Sequence, residues 1–281
     1  MTGQKEINLS KPQSASTAYT LITGASSGIG EALAQCFAQA GHDLVLVARS
    51  GDKLLALASG LRQRHGVKVV VAPSDLSRPE AAAELGRMLG RKRCSIDLLV
   101  NCAGVLEQGA FGSLPALAHQ QIIALNIAGL TAMLSEFLPG LLEQARQGRP
   151  GRVLNVASIA AFQPVPMLAS YAASKAYVLS LSESLAEELK GSGVSVTALC
   201  PGITATNMLS SATSANAQLS RIPAFLVGDV AEVARQGFEA CMRGDAICVP
   251  GALNRAAMLA SRSTPKWLVR RLGGIMGRAA L

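Results

Sequence analysis

Short, almost unbroken apolar runs recur along this chain, separated by longer segments with helical spacing. The runs lie at 18–22, 43–47, 68–72, 96–100, 153–156 and 194–199. Built largely from Val, Leu and Ile, they lack the alternation of a half-exposed strand, and each reads as a strand covered on both faces. Between them, helices are expected over 32–40, 53–65, 79–89, 119–142 and 171–189, with Gly41 as the stop signal of the first. Strand and helix in regular alternation predict an α/β fold, a doubly wound parallel sheet of Rossmann-like type. No linker-like stretch interrupts the pattern. One domain is therefore expected over 18–250, preceded by a disordered leader at 1–17 and followed by a basic, amphipathic extension at 251–281.

The strand ends carry the candidate chemistry. The first strand runs into Thr23-Gly24-Ala25-Ser26-Ser27-Gly28-Ile29-Gly30 and then into a helix. Such a corner can hold a pyrophosphate, because glycines let the backbone come close and a helix N-terminus offers unpaired N–H groups and a positive dipole end. The spacing is GxxxGxG rather than GxGxxG, and glycine-rich turns also serve packing alone. The position at the first strand–helix turn favours binding. The second strand ends at Ala48-Arg49, with Lys53 nearby and Asp52 the only carboxylate close by. A carboxylate here would hold a ribose 2′-hydroxyl, whereas an arginine accommodates a 2′-phosphate, so Arg49 points to NADP(H) over NAD(H). A solvated arginine after a strand is the plainer alternative.

After the fifth strand comes Ser158, and the helix that follows carries Tyr171 and Lys175. Four residues apart, these two share a helix face. A lysine ammonium near a phenol lowers a pKa that starts at about 10, which general acid–base work near neutrality requires. Ser158 can supply a hydroxyl to the same spot. A bare pair of this spacing also occurs on ordinary surface helices; the upstream motifs favour the catalytic reading.

Composition narrows the classes. Aromatic residues are 4% of the chain against 49% hydrophobic in all, so the core must be built from Ala, Leu, Val and Ile. Cys36, Cys94, Cys102, Cys200, Cys241 and Cys248 show no CxxC or ligand spacing, and with three histidines no metal site is expected. The first seventeen residues are polar, without the apolar core of a signal peptide, and no run of about 18 apolar residues suits a membrane span. A reducing cytoplasm fits these features. The net charge of +8 is concentrated: Arg255, Arg262, Lys266, Arg270, Arg271 and Arg278 give the stretch from 246 onward +6, leaving +2 for the rest. With Trp267 and several leucines among its basic residues, the tail suits peripheral contact with an anionic membrane, or packing over the cleft or a second subunit. Nucleic-acid binding is not expected, since aromatics are not interleaved with the basic residues and no recognition motif is present.

Taken in order, TGASSGIG at 23–30, Asp75-Leu76 after the third strand, Asn101-Cys102-Ala103-Gly104 after the fourth, Asn126, Ser158, the Tyr-Ala-Ala-Ser-Lys of 171–175 and Pro201-Gly202-Ile203-Thr204-Ala205-Thr206 form a set. That set resembles the short-chain dehydrogenase/reductase family over roughly 20–250. Cys102 stands where the family usually has a second Asn, and Ala157 where it often has a second Ser; Asn101 and Ser158 remain.

The resemblance implies an oxidoreductase that moves a hydride between NADP(H) and a carbonyl or alcohol group, as a carbonyl reductase or alcohol dehydrogenase. Tyr171 would be the general acid and base. Lys175 would lower its pKa and bind the nicotinamide ribose, and Ser158 would polarise the carbonyl oxygen. Asn126 would bend its helix and hold a water that relays protons to Lys175. Cofactor contacts are implied for Gly24, Ser26, Ser27, Gly28, Ile29, Gly30, Asp75, Leu76, Asn101, Ala103, Gly104, Pro201, Gly202 and Thr206, beside Arg49, Tyr171 and Lys175. A homo-oligomer is expected. The family places a substrate lid over 207–228, where Met208, Leu209, Ile222, Phe225 and Leu226 accompany one charge, Arg221. With Phe162, Val165 and Met167, this lining suits an apolar or amphipathic substrate. A nucleotide-sensing member of the fold without turnover is the alternative, and the retained Asn126, Ser158, Tyr171 and Lys175 argue against it.

Overall fold

The computed structural model of the chain describes residues 18–204 and 228–258, apart from 253 and 257. The expected leader at 1–17, the lid except Gly228, Thr206 and most of the extension beyond 251 lie outside the described residues.

Within them, seven strands pair in parallel as one sheet: β1 (Ala18–Thr23), β2 (Asp43–Ala48), β3 (Val69–Pro73), β4 (Ser95–Asn101), β5 (Gly151–Val156), β6 (Val194–Leu199) and β7 (Ile247–Cys248). Their order is β3-β2-β1-β4-β5-β6-β7. The order reverses between β1 and β4, and such a switch point opens a crevice at the carboxyl ends of the strands. Successive strand residues point to opposite faces, so each strand feeds two cores. Leu21, Val45, Leu99, Val153 and Val196 pack with α3 (Ala81–Arg91), α5 (Leu130–Arg146) and α6 (Ala169–Glu188). On the other face, Ile22, Leu44, Leu98, Leu154 and Leu199 pack with α1 (Gly28–Gln39), α2 (Gly51–His65) and α7 (Val230–Arg243). The doubly wound parallel sheet expected from the apolar runs is what the chain forms.

Three features differ from the pattern-based expectation. First, α1 begins at Gly28 rather than 32; two glycines with poor helix propensity stand in its first turn and hide its start from the pattern. Second, α7 and β7 were not anticipated. The local signals are present: Asp229 accepts a hydrogen bond from the Glu232 N–H at 3.1 Å, and Gly244 ends the helix at φ 78°. Third, the helix expected over 119–142 runs from Ala116 to Arg146, comprising α4 (Ala116–Ile122), a π-helical segment (Ile123–Gly129) and α5. By length and composition alone it could cross a membrane, since its most apolar 18-residue window has a mean hydropathy of 1.6, a property that a buried core helix shares. Its Leu130, Met133, Leu134 and Leu141 lie in the core beside β4.

Buried polar links brace the strand ends beneath the crevice. Asn101 Nδ2 donates to Asn155 Oδ1 at 2.9 Å, and Asn155 Nδ2 donates to Ser182 Oγ at 3.0 Å, joining β4, β5 and α6. The Thr23 hydroxyl oxygen accepts from the N–H groups of Cys102 and Ala103 at 2.9 and 3.0 Å. The brace at Cys102 is therefore made by its backbone, which a cysteine supplies as well as an asparagine.

Candidate active site

The nucleotide side of the crevice follows from how α1 starts. Ser27 precedes the helix in extended conformation and its side chain caps nothing, so the first-turn N–H groups stay open toward the crevice. Gly30 sits so close to the Gly24 carbonyl that a Cβ would collide with it, which explains why this turn takes glycine. Gly24, Ser26, Ser27, Gly28, Ile29 and Gly30 form one wall of a cleft. Arg49, Asp75 and Leu76 line the part contributed by β2 and β3, and Ala103 and Gly104 the part beyond β4. Asp75 Oδ1 accepts from the Ser77 hydroxyl at 2.7 Å and the Ser77 N–H at 3.1 Å. These bonds, helped by Arg49 and Arg78, hold its carboxyl below the usual range. An open helix N-terminus, a glycine floor and a cation at the far end fit a dinucleotide. Sequence reasoning missed Val47, Ser50, Ser74, Val105 and Leu125 in this lining; most flank strand ends already identified, and Leu125 lies beside Asn126.

The catalytic side is built on α6. Lys175, 6% exposed, donates to the Val156 carbonyl at 2.8 Å, and its Nζ lies 5.7 Å from the centre of the Tyr171 ring. Burial pulls its pKa down to about 8, opposed by the nearby thiols of Cys102 and Cys200. The Tyr171 phenol is pushed up by burial, partly offset by the Ser158 hydroxyl. This corrects the expectation of a lowered phenol: burial dominates at Tyr171, and the group that opposes it is the Ser158 hydroxyl, while the Lys175 hydrogen bond goes to Val156. Burial also lifts the Cys102 thiol to about 11. Ser158 Oγ accepts from the Ala160 N–H at 3.1 Å, which fixes the serine at the start of a 3₁₀ turn.

Asn126, 1% exposed, lies within the π-helical segment. Its Oδ1 accepts from the Val105 N–H at 2.9 Å, and its Nδ2 donates to the Val105 carbonyl at 2.9 Å and to Ser174 Oγ at 3.1 Å. Ser174 donates in turn to the Tyr171 carbonyl at 2.7 Å. Asn126 and Lys175 both approach Gly104, at 3.2 and 3.5 Å from where its Cβ would lie. The structure thus brings Asn126, Ser158, Tyr171 and Lys175 together beside the cleft. Asn101 does not line it; its side chain is spent on the brace to Asn155. Nor do Pro201 and Gly202. The Pro201 carbonyl accepts from Ile159 N–H at 2.9 Å, and Gly202 packs on the amide of Asn254, a neighbour the motifs did not reveal.

Comparison with known proteins agrees with this geometry. The sequence profile of the short chain dehydrogenases matches residues 18–217. The 1-deoxy-11-beta-hydroxypentalenate dehydrogenase of Streptomyces exfoliatus is 36% identical over 202 residues, 70% of this chain and 71% of that protein. A short-chain dehydrogenase from Sphingobium yanoikuyae, solved in complex with NADPH, is 33% identical with a TM-score of 0.75, covering 88% of this chain and 96% of its own. The bulky-bulky ketone specific alcohol dehydrogenase from Comamonas testosteroni is 30% identical with a TM-score of 0.71, covering 90% and 96%.

The buried lysine has a measurable signature. Below about pH 8 both the folded and unfolded chains carry its proton, whereas above that the folded chain releases a proton that the unfolded chain keeps up to 10.5. Stability contributed by this site therefore rises with pH across that window. Urea unfolding of the native chain, measured relative to Lys175→Met, should show a gain of about 3 kcal/mol between about pH 7 and about pH 10.5. A difference that stays flat across that range would contradict it.

Proposed function

We propose, from the premise that this chain belongs to the short-chain dehydrogenase/reductase family of oxidoreductases, that it is an NADP(H)-dependent carbonyl reductase or alcohol dehydrogenase acting on an apolar or amphipathic substrate. The observation that carries this reading is the buried Lys175 ammonium behind the Tyr171 ring, with the Ser158 hydroxyl acting on the phenol and the glycine-walled cleft alongside. The NADPH complex of the Sphingobium relative and the ketone specificity named for the Comamonas enzyme support the same cofactor and substrate class.

In this reading the open N–H groups of α1 hold the pyrophosphate and Arg49 holds the 2′-phosphate. Asp75 and Leu76 line the adenosine end, and Lys175 binds the nicotinamide ribose. When bound, the nicotinamide supplies a hydride to the substrate carbonyl carbon or accepts one from the alcohol. Burial keeps the Tyr171 phenol protonated, the form that donates to the carbonyl oxygen during reduction. The phenolate left behind faces the Lys175 charge, and the Ser158 hydroxyl donates to the substrate oxygen as negative charge develops there. Asn126 holds the main chain at Val105 and, through Ser174, the first turn of the Tyr171 helix.

NADPH consumption with a panel of hydrophobic ketones and aldehydes tests the activity. Tyr171→Phe should lower turnover by about 10³-fold while weakening NADPH binding far less, because the proton donor alone is lost. Lys175→Ala should impair both. Substantial turnover by the Phe variant would remove Tyr171 from its role.

Arg49 and the absence of a carboxylate at Ala48 make NADPH the tighter ligand. In binding titrations, Arg49→Ala should narrow the gap between NADPH and NADH by about 1–3 kcal/mol, the loss expected for a charge-assisted hydrogen bond. Equal affinity for the two cofactors in the native chain would refute this.

A homo-oligomer belongs to the same proposal. A groove between α5 and α6, lined by Leu138, Leu142, Leu181 and Leu185, offers the apolar surface a second copy would cover. Sedimentation velocity should show a dimer or larger assembly, and a monomer would remove this part.

A further inference from the structure

Between β4 and α4 the chain makes a long excursion whose fastenings all lead back to the catalytic groups. It leaves the cleft at Val105, where the Asn126 amide grips the backbone twice. At Gly109 its N–H donates at 2.9 Å to the carbonyl of Met167, in the stretch joining Ser158 to Tyr171. Met167 adopts φ 68°, a left-handed conformation that favours glycine, so this crossing holds a strained residue in place. At Phe111 the excursion meets His119. The ring Nε2 and the Phe111 carbonyl are 3.1 Å apart, and the two side-chain rings stack with centres 4.3 Å apart.

The other ring nitrogen settles what His119 does. Nδ1 lies 2.8 Å from the hydroxyl of Ser170, which stands in the first turn of α6 immediately before Tyr171. A carbonyl only accepts, so Nε2 carries the hydrogen, and in the neutral ring Nδ1 accepts from Ser170. One imidazole therefore ties the excursion to the catalytic helix and offers its face to Phe111. The phenylalanine, covered by His119 on one side, is 64% exposed, the most exposed of the large hydrophobic side chains among the described residues. No charged side chain occurs from 108 to 135, so the ring's own segment brings no ion to it.

We propose that His119 is a positioning residue that sets Phe111 at the lip of the substrate site, and that the open face of the Phe111 ring binds the hydrocarbon part of the substrate remote from the reacting carbonyl. This rests on the carbonyl-reductase reading above. It assigns substrate selection to the β4–α4 excursion, with the Gly109–Met167 crossing fixing the distance between lip and catalytic helix.

The test compares NADPH-dependent reduction of 2-butanone and 2-octanone by the full chain. In Phe111→Ala and in His119→Ala, the ratio of kcat/KM for 2-octanone to that for 2-butanone should fall by about ten-fold, with the loss in KM rather than kcat. Phe111→Tyr, which keeps the ring, should restore the ratio. His119→Gln, which keeps a donor and an acceptor without the stack, should restore part of it. A ratio unchanged in Phe111→Ala, or an equal fall for both ketones, would overturn the proposal. Hydrogen exchange gives an arm independent of turnover: amides of 105–113 should exchange about ten-fold faster in His119→Ala. Unchanged exchange sinks the lip on its own. Faster exchange in a chain that reduces no ketone or aldehyde refutes substrate selection by Phe111 together with the functional reading, leaving His119 as a fastening of the excursion only.

Discussion

Polar groups on the buried side of a helix destabilise it unless each finds a partner, and α6 carries three. Ser174, Lys175 and Ser182 are all buried. Ser174 bonds the Tyr171 carbonyl and the Asn126 amide, Lys175 the Val156 carbonyl, and Ser182 the Val178 carbonyl and the Asn155 amide. A neutral group stranded there costs about 1–3 kcal/mol, and a stranded charge costs more. Asn126 lies on the π-helical segment and Asn155 and Val156 at the end of β5, so α6 satisfies all three groups at one position and one rotation against the sheet. That position places Tyr171 one turn before Lys175 and opposite Ser158. The candidate active site is the by-product of seating this helix.

The same burial sets the electrostatics. Desolvation moves Lys175 down to about 8 and the Tyr171 phenol up, so each is pushed toward its neutral form. Within the proposed reaction, the pair is suited to receive negative charge rather than to hold it at rest. A phenol that is protonated before the reaction and a cation ready to stabilise the phenolate afterwards divide the work between them. Simple proximity of lysine to tyrosine suggested a phenol already lowered, and it omitted the cost of taking both groups out of water. The Val156 carbonyl, invisible to side-chain motifs, decides where the ammonium points.

The glycine-rich turn, Arg49, Asp75 and the residues of the catalytic helix were legible because their chemistry is tied to strand ends, and apolar runs mark strand ends well. Asn101 was legible as a motif and not as a brace, since its partner Asn155 is 54 residues away in the chain. The first turn of α1 was obscured by glycines with poor helix propensity that serve close approach. Neither the π-helical segment around Asn126 nor the grip of its amide on Val105, 21 residues away, shows in the apolar pattern. His119 carried no signal at all: its partners Phe111 and Ser170 lie on different segments, a 3₁₀ turn and α6.

By itself, the order of apolar runs determined a parallel sheet wound on both faces, since buried strands and amphipathic helices have different periods and few ways to alternate. Motif spacing also determined which side chains would reach the carboxyl ends of the strands. Tertiary structure alone decided how those side chains are charged, what they bond and which loops they hold. Those properties depend on desolvation and on backbone carbonyls brought from distant elements, and neither is written in the spacing of residues along one strand or helix.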